Sequence, residues 1–233
     1  MVLPAALKKR ACEPSRKITL DATKYLISAA GGGISSRSMF KNPKNGRPRF
    51  FERLFPGRAN EDSARLLYER IIAQTRQEVF YRDCLIPDSV DGRFELLVLH
   101  VFLVLNRLKK ERDRTADLAQ TLFDIMIYDL DQSLRVSGVG DLKVGPKLRQ
   151  MAEAFYGRVW AYDAGLEGDD SILMAALERN LFGTSAPPQA AMLAALSVYV
   201  RQEAAQLAGQ ETGALLAGEV SFQGLPKPES VID

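Results

Sequence analysis

The feature that most constrains this chain is an apolar run, Leu96–Leu105, in which His100 is the one polar residue. A run of ten residues covers every side of a helix, so no face is left for water. The run is much shorter than the roughly 20 residues that a membrane-spanning helix needs. Acidic residues precede the run and basic residues follow it, an order that the helix dipole favours. The sequence therefore predicts a buried central helix in a soluble helical domain.

Charge is divided unevenly along the 233 residues of the chain. Residues 1–60 contain 13 Lys or Arg and 3 Asp or Glu, whereas residues 61–233 contain 18 and 26. Such a division is typical of a basic arm attached to an acidic folded domain. We therefore expect a flexible, largely unstructured basic arm over residues 1–58, a folded domain over residues 59–223 and a disordered tail over residues 224–233.

The end of the arm combines aromatic and basic residues. Its candidate membrane-binding or RNA-binding residues are Phe50, Phe51, Arg53 and Arg58. Rings and cations together suit anionic lipid or RNA phosphates, and the alternative is that the aromatic side chains pack on the folded domain. Two other interpretations of the arm are open. It resembles a transit peptide in being basic, acid-poor and Ser-bearing, and it could instead be an extension upstream of a true start at Met39. No specific DNA binding is expected.

From Glu61 onward the apolar residues recur at helical spacing. The pattern predicts six helices: Glu61 to Val79, the central run, Thr115 to Val136, Pro146 through Tyr162, Asp169 to Leu181 with Ile172 inward, and a long one after Pro187-Pro188. Gly138 is placed to end one helix and Pro146 to begin the next. The connections are short and strand signals are almost absent. The predicted fold class is therefore all-α, a single compact multi-helix domain of about six helices.

Residue types that carry catalysis or bind metals are scarce. One His and two separated Cys cannot supply a zinc site, and we expect His100 to be a buried, hydrogen-bonded core residue. No cofactor is expected. One enzyme alternative is an isoprenoid-synthase-like protein that binds Mg²⁺–diphosphate through helix-borne aspartates. However, Asp169-Asp170-Ser-Ile-Leu173 lacks the last Asp of the D-D-x-x-D pattern.

Four segments in order resemble a known family. They are Phe94–Leu108, Ala119–Asp131, Gly138–Asp141 and Ala154–Arg158. Together they are similar to the ubiquinol–cytochrome c chaperone family over residues 60–185, and more to its bacterial branch than to its mitochondrial one. The resemblance implies a non-enzymatic assembly factor for ubiquinol–cytochrome c reductase (respiratory complex III) that binds newly made cytochrome b.

The resemblance also implies partners and a location. A small helical partner protein and contact with the ribosome or an anionic membrane surface are expected. The protein would lie in the cytoplasm at the inner membrane, or on the matrix side if the arm is a transit peptide. The candidate partner-binding residues are Asp124, Asp131, Arg149, Tyr156 and Arg158, because the family-like motifs place polar groups where the core does not need them. The alternative for each is an exposed or helix-pairing residue.

Overall fold

The computed structural model describes residues 58–183, 185 and 188–225, and these residues contain helices and no strands. Six helices have twelve or more residues: α1 Arg58–Thr75, α3 Val90–Lys109, α4 Arg112–Val136, α5 Asp141–Glu167, α6 Asp170–Leu181 and α7 Ala190–Ala208. Two more helices, α2 Glu78–Arg82 and α8 Thr212–Leu216, have five residues each. The all-α prediction is confirmed.

Helix α3 is the centre of the domain, as the apolar run predicts. All side chains from Glu95 to Leu105 are buried. The hydroxyl of Ser89 caps the helix by accepting the N–H of Gly92 at 3.1 Å, which satisfies one of the free donors of the first turn. A Cβ on Gly92 would lie 2.0 Å from the carbonyl oxygen of Pro87, so the chain can enter the helix this way only with glycine there.

The other helices surround α3. It contacts α1, α4, α5, α6 and α7, and α4 packs on both α1 and α5. Helices α5, α6 and α7 pack in sequence, as short connections between helices predict. The buried apolar side chains of the described residues, apart from Val144, form one continuous core. None of the helices in residues 58–183 and 188–225 combines the length and the apolar character that a membrane span requires.

Three local predictions are wrong. The helix predicted from Glu61 to Val79 ends at Thr75 and a second one begins at Glu78. At the break, the hydroxyl of Tyr81 donates at 2.7 Å to the carbonyl of Thr75, the acceptor that the N–H of Val79 would use in a continuous helix. Ile172 was expected inside the core but is 46% exposed, whereas its neighbour Leu173 in the same turn of α6 is fully buried.

The third wrong prediction concerns Pro146, which does not begin a helix. Helix α5 begins at Asp141 and contains Pro146 in its second turn. The proline removes the hydrogen bond that would reach the carbonyl of Leu142. The side chain of Leu142 is 95% exposed, so this turn lies at the surface, where water can satisfy that carbonyl.

Candidate functional site

Arg158, a predicted partner-binding residue, forms an ion pair between α5 and the central helix. Its Nε and Nη2 donate to the two carboxylate oxygens of Glu95, and its Nη1 donates to the carbonyl of Ala154 at 3.0 Å. Its guanidinium also lies 5.8 Å from the ring centroid of Phe94. The side chains of Arg158 and Glu95 are 13% and 8% exposed. The charge of Arg158 is therefore already used within the protein, and its role in partner binding remains a prediction.

Burial and the ion pair act in opposite directions on the two charges. Burial is the larger effect on Glu95 and raises the pKa of its carboxyl, while the hydrogen bonds and charge of Arg158 lower it. Burial opposes the charge of Arg158, but the hydrogen bonds and charge of Glu95 outweigh it and raise the pKa of the guanidinium. Each group therefore depends on the other to remain charged inside the protein.

Asp124 on α4 is a buried carboxyl with no cation beside it among the described residues. Its Oδ1 accepts a hydrogen bond of 2.8 Å from the side-chain amide of Gln120, and its Oδ2 has no partner within the described part of the chain. Burial raises the pKa of Asp124 to about 8, against which the hydrogen bond from Gln120 acts. The carboxyl is therefore mainly protonated at pH 7, and its hydroxyl is a donor.

Tyr156 on α5 lies close to Asp124. Its ring stacks on Phe123 with centroids 6.0 Å apart and an interplanar angle of 27°, and it meets Phe155 edge-on. Burial, followed by the charge of Asp124, raises the pKa of Tyr156 to about 12. We call these neighbours the α4–α5 seam: Gln120, Phe123, Asp124, Phe155 and Tyr156. The seam joins two of the five predicted partner-binding residues.

The two other predicted partner-binding residues do not join the seam. Asp131 lies two helical turns after Asp124 on α4 and accepts a hydrogen bond of 2.8 Å from Nε of Arg135. Arg135 also donates to Asp141 at 2.7 Å and so links the end of α4 to the beginning of α5. Arg149 is exposed on α5. The five predicted residues therefore do not form one site, because only Asp124 and Tyr156 lie together.

His100 lies in a buried hydrogen-bonded chain, as predicted. Its Nδ1–H donates to the carbonyl of Leu96 at 2.8 Å, so its Nε2 accepts the hydroxyl of Tyr199 at 2.7 Å. The Tyr199 oxygen in turn accepts from the amide of Gln74 at 3.1 Å. Burial lowers the pKa of His100 to about 4, and the imidazole is neutral at pH 7. The network joins α1, α3 and α7.

The aspartates of the diphosphate alternative have separate partners. Asp169 caps α6 by accepting the N–H of Ile172, and Asp170 pairs with Arg201 at 2.7 Å. No three His, Cys, Asp or Glu residues of the described segments lie together as metal ligands. No observation therefore favours a Mg²⁺–diphosphate site here.

The arm residues lie mostly outside the described part of the chain. Phe50, Phe51 and Arg53 fall outside it, as do the predicted disordered tail beyond residue 225 and the arm itself. Arg58 is the first residue of α1, and only its backbone is described. The predicted membrane-binding or RNA-binding role of these four residues remains a prediction.

Sequence reasoning missed the partners of the predicted residues. Glu95 and Gln120 were not singled out, although Gln120 lies four residues before Asp124, a spacing that places them on one helix face. The pairing of Glu95 with Arg158 has no local signal because 63 residues separate them. The only hint in the sequence was a Glu immediately before the apolar run.

Together these observations define a class: an all-α domain around a buried helix, in which buried polar side chains tie helices to one another. Within that class, the chain belongs to the ubiquinol–cytochrome c chaperone family, whose model, described as "Ubiquinol-cytochrome C chaperone", matches residues 82–222. The match runs from the end of α2 past α8 and contains the ion pair, the seam and His100. The family resemblance predicted from four short segments is confirmed.

Individual relatives agree with the family. Ubiquinol-cytochrome-c reductase complex assembly factor 1 of Xenopus laevis is 29% identical, over 70% of this chain and 82% of that protein. The factor of the same name from Mus musculus is 30% identical, over 71% of this chain and 57% of that protein. A crystal structure of the Cbp3 homologue from Brucella abortus has 38% identity and a TM-score of 0.65, covering 76% of this chain and 96% of that one.

Proposed function

We propose that this protein is a non-enzymatic assembly factor for ubiquinol–cytochrome c reductase, respiratory complex III. The observation that carries the proposal is the family match over residues 82–222, supported by relatives whose names state this role. The chain spans little more than half of the mouse relative, so the proposal covers the helical domain that the two share.

The client that we propose is newly made cytochrome b. Its apolar helices must be kept from aggregating until haem and partner subunits arrive, and a helical domain can hold them in a groove between helices. The folded domain is acidic, and the cytoplasmic loops of membrane proteins carry an excess of Lys and Arg. The negative charge of the domain would attract these positive loops while the protein lies at the inner membrane.

The α4–α5 seam is the contact region that the geometry supports best. Asp124 is buried and keeps an oxygen without a partner in the described residues, and Tyr156 lies beside it. Because this oxygen is buried, a client reaches it only when the seam opens; the protonated carboxyl would then donate a hydrogen bond to a client carbonyl without placing a charge against an apolar segment. Asp131 and Arg149 would then contact polar loops farther along α4 and α5. A small helical partner protein and the ribosome are additional proposed contacts.

The first experiment is a reduced-minus-oxidised haem spectrum of membranes from a strain that lacks this gene. We expect selective loss of the b-haem signal of complex III and its return when the gene is restored. A normal spectrum together with normal complex III activity would refute the assembly role.

A second experiment tests the client. Affinity-tagged protein is isolated from cells in which new membrane proteins are briefly labelled, and cytochrome b is expected among the labelled products. The paired substitutions Asp131→Asn and Arg149→Gln should reduce its recovery. Arg82→Gln is the matched control, because Arg82 is exposed and its ion-pair partners among the described residues are its neighbours Glu78 and Asp83. Loss of the haem signal without recovery of cytochrome b would leave the assembly role and remove this client.

A further inference from the structure

The connection between α4 and α5 exposes two aliphatic side chains almost completely. Val136, the last residue of α4, is 90% exposed and Leu142, in the first turn of α5, is 95% exposed. The next most exposed large apolar side chain in the described segments is Leu85 at 63%. We call residues 132–150 the α4–α5 corner.

The corner has a defined shape. Gly138, with φ of +78°, ends α4, and its N–H donates to the carbonyl of Arg135 at 3.0 Å. The N–H of Val139 donates to the carbonyl of Leu134 at 3.1 Å, which completes a Schellman motif. The ion pairs of Arg135 with Asp131 and Asp141 hold both sides of the turn. The exposed side chains therefore project from a braced turn.

The corner is basic within an acidic domain. Residues 132–150 contain four Lys or Arg and one Asp, whereas residues 61–131 and 151–233 together contain 14 basic and 25 acidic residues. Lys143 and Lys147 lie on the first two turns of α5 next to Leu142, and neither pairs with a carboxylate of the described residues. Exposed aliphatic tips beside lysines are the composition that binds an anionic lipid surface.

We propose that the α4–α5 corner is a membrane-docking site, which places Val136 and Leu142 among the lipid chains and Lys143 and Lys147 against anionic headgroups. The lysine stems can extend along the apolar layer while their ammonium groups stay at the surface. The proposal goes beyond the assembly role. It rests on that role in one respect, namely that the client is a membrane protein. It assigns membrane contact to the folded domain in addition to the arm.

The test measures binding of the full chain to vesicles of phosphatidylcholine with and without one third phosphatidylglycerol. We expect the paired substitutions Val136→Ser and Leu142→Ser to weaken binding by about tenfold or more, because each removes an apolar side chain from lipid. Lys143→Gln with Lys147→Gln should weaken binding to the anionic vesicles by about fivefold per lysine, and added salt should diminish this difference. The basic arm is unchanged in every variant, so these ratios report the corner alone.

A matched control lies at the other end of α5. Ile172 and Val198 are 46% and 47% exposed, and both lie near Asp170, which follows α5. A helix of 27 residues is about 40 Å long, so this end is remote from Leu142. Ile172→Ser with Val198→Ser should leave vesicle binding unchanged. The corner variants should unfold at the parent's temperature, because their side chains contact little of the protein.

Insertion has its own measurement. Trp160 is the one tryptophan of the chain. In the double variant Leu142→Trp with Trp160→Phe, the fluorescence of the new tryptophan should be quenched by phosphatidylcholine brominated on its acyl chains. Unchanged binding of both corner variants, or a tryptophan that brominated lipid does not quench, would overturn the proposal. If the corner substitutions abolish co-purification of another protein but leave vesicle binding unchanged, the proposal is also overturned and the corner is a protein interface. None of these measurements contains cytochrome b, so their failure is distinct from failure of the assembly role.

Discussion

Replacing Arg158 with Met should destabilise the domain by an amount that depends on pH. The substitution retains much of the side-chain volume but leaves the Glu95 carboxyl, of which 8% is exposed, without its cation. Breaking a buried ion pair from one side usually costs about 3–5 kcal/mol. The hydrogen bond to Ala154 is lost at the same time. The loss should therefore be one of the larger effects of a single substitution in this protein.

Proton uptake by Glu95 sets the dependence on pH. Burial already raises the pKa of Glu95 above its ordinary value of 4.5, and the loss of Arg158 should raise it further. The folded variant therefore keeps the carboxyl proton at pH values at which the unfolded chain has lost it. Each pH unit above the unfolded pKa at which the folded variant still holds that proton costs about 1.36 kcal/mol, so the cost is larger at pH 7 than at pH 5. A raised carboxyl pKa contributes stability at low pH that is lost as the pH rises. The deficit of Arg158→Met should therefore be smaller at pH 5 than at pH 7, by at most the roughly 2.7 kcal/mol that two pH units correspond to, because the parent also folds with a raised Glu95 pKa.

Urea unfolding at both pH values measures this difference. The set comprises the parent, Arg158→Met, Glu95→Gln and the double variant, in which we expect about 2 kcal/mol of the loss to return because no buried charge remains. Arg149→Met removes an exposed arginine of the same helix and should change the free energy of unfolding by less than about 0.5 kcal/mol. Equal deficits at pH 7 and pH 5, or strictly additive single substitutions, would refute the reasoning.

Three other predictions concern buried groups of the same domain. The parent folds with an Asp124 carboxyl whose pKa is raised from 3.8 to about 8, which costs stability as the pH rises. The gain in free energy of unfolding from Asp124→Asn should therefore be about 2–3 kcal/mol larger at pH 7 than at pH 5. An equal gain at both pH values would contradict this. The buried His100, whose pKa is lowered to about 4, resists protonation, so the parent should lose about 2 kcal/mol of stability between pH 7 and pH 5 through this group. His100→Gln should abolish that part of the loss, and an unchanged pH dependence would contradict the prediction. Gly92→Ala should lower the thermal unfolding midpoint, because its Cβ would lie 2.0 Å from the oxygen of Pro87, whereas Gly157→Ala, with no atom within 4 Å, should raise the free energy of unfolding by about 0.5–1 kcal/mol.

The corner between α4 and α5 shows how far local sequence reasoning reaches. Gly138 was correctly predicted to end α4, because a positive φ is a local property that favours glycine. Pro146 was wrongly predicted to begin α5, because a proline is also tolerated one turn later when the carbonyl that it leaves free faces water. The near-complete exposure of Val136 and Leu142 could not be predicted, because apolar residues at helix ends are more often covered by neighbouring elements.

What the sequence by itself determined was the periodic part of this protein: six long helices, the central buried run, the buried His100 and the family. Each of these depends on residues within a few turns of one another, or on short motifs in order along the chain. Only the tertiary structure decided which polar groups meet. Glu95 meets Arg158 across 63 residues, and Gln74 meets Tyr199 across 125. The burial of Asp124 was decided in the same way. Helical spacing fixes which face a residue occupies, but the packing of one helix on another fixes the partner that it finds there.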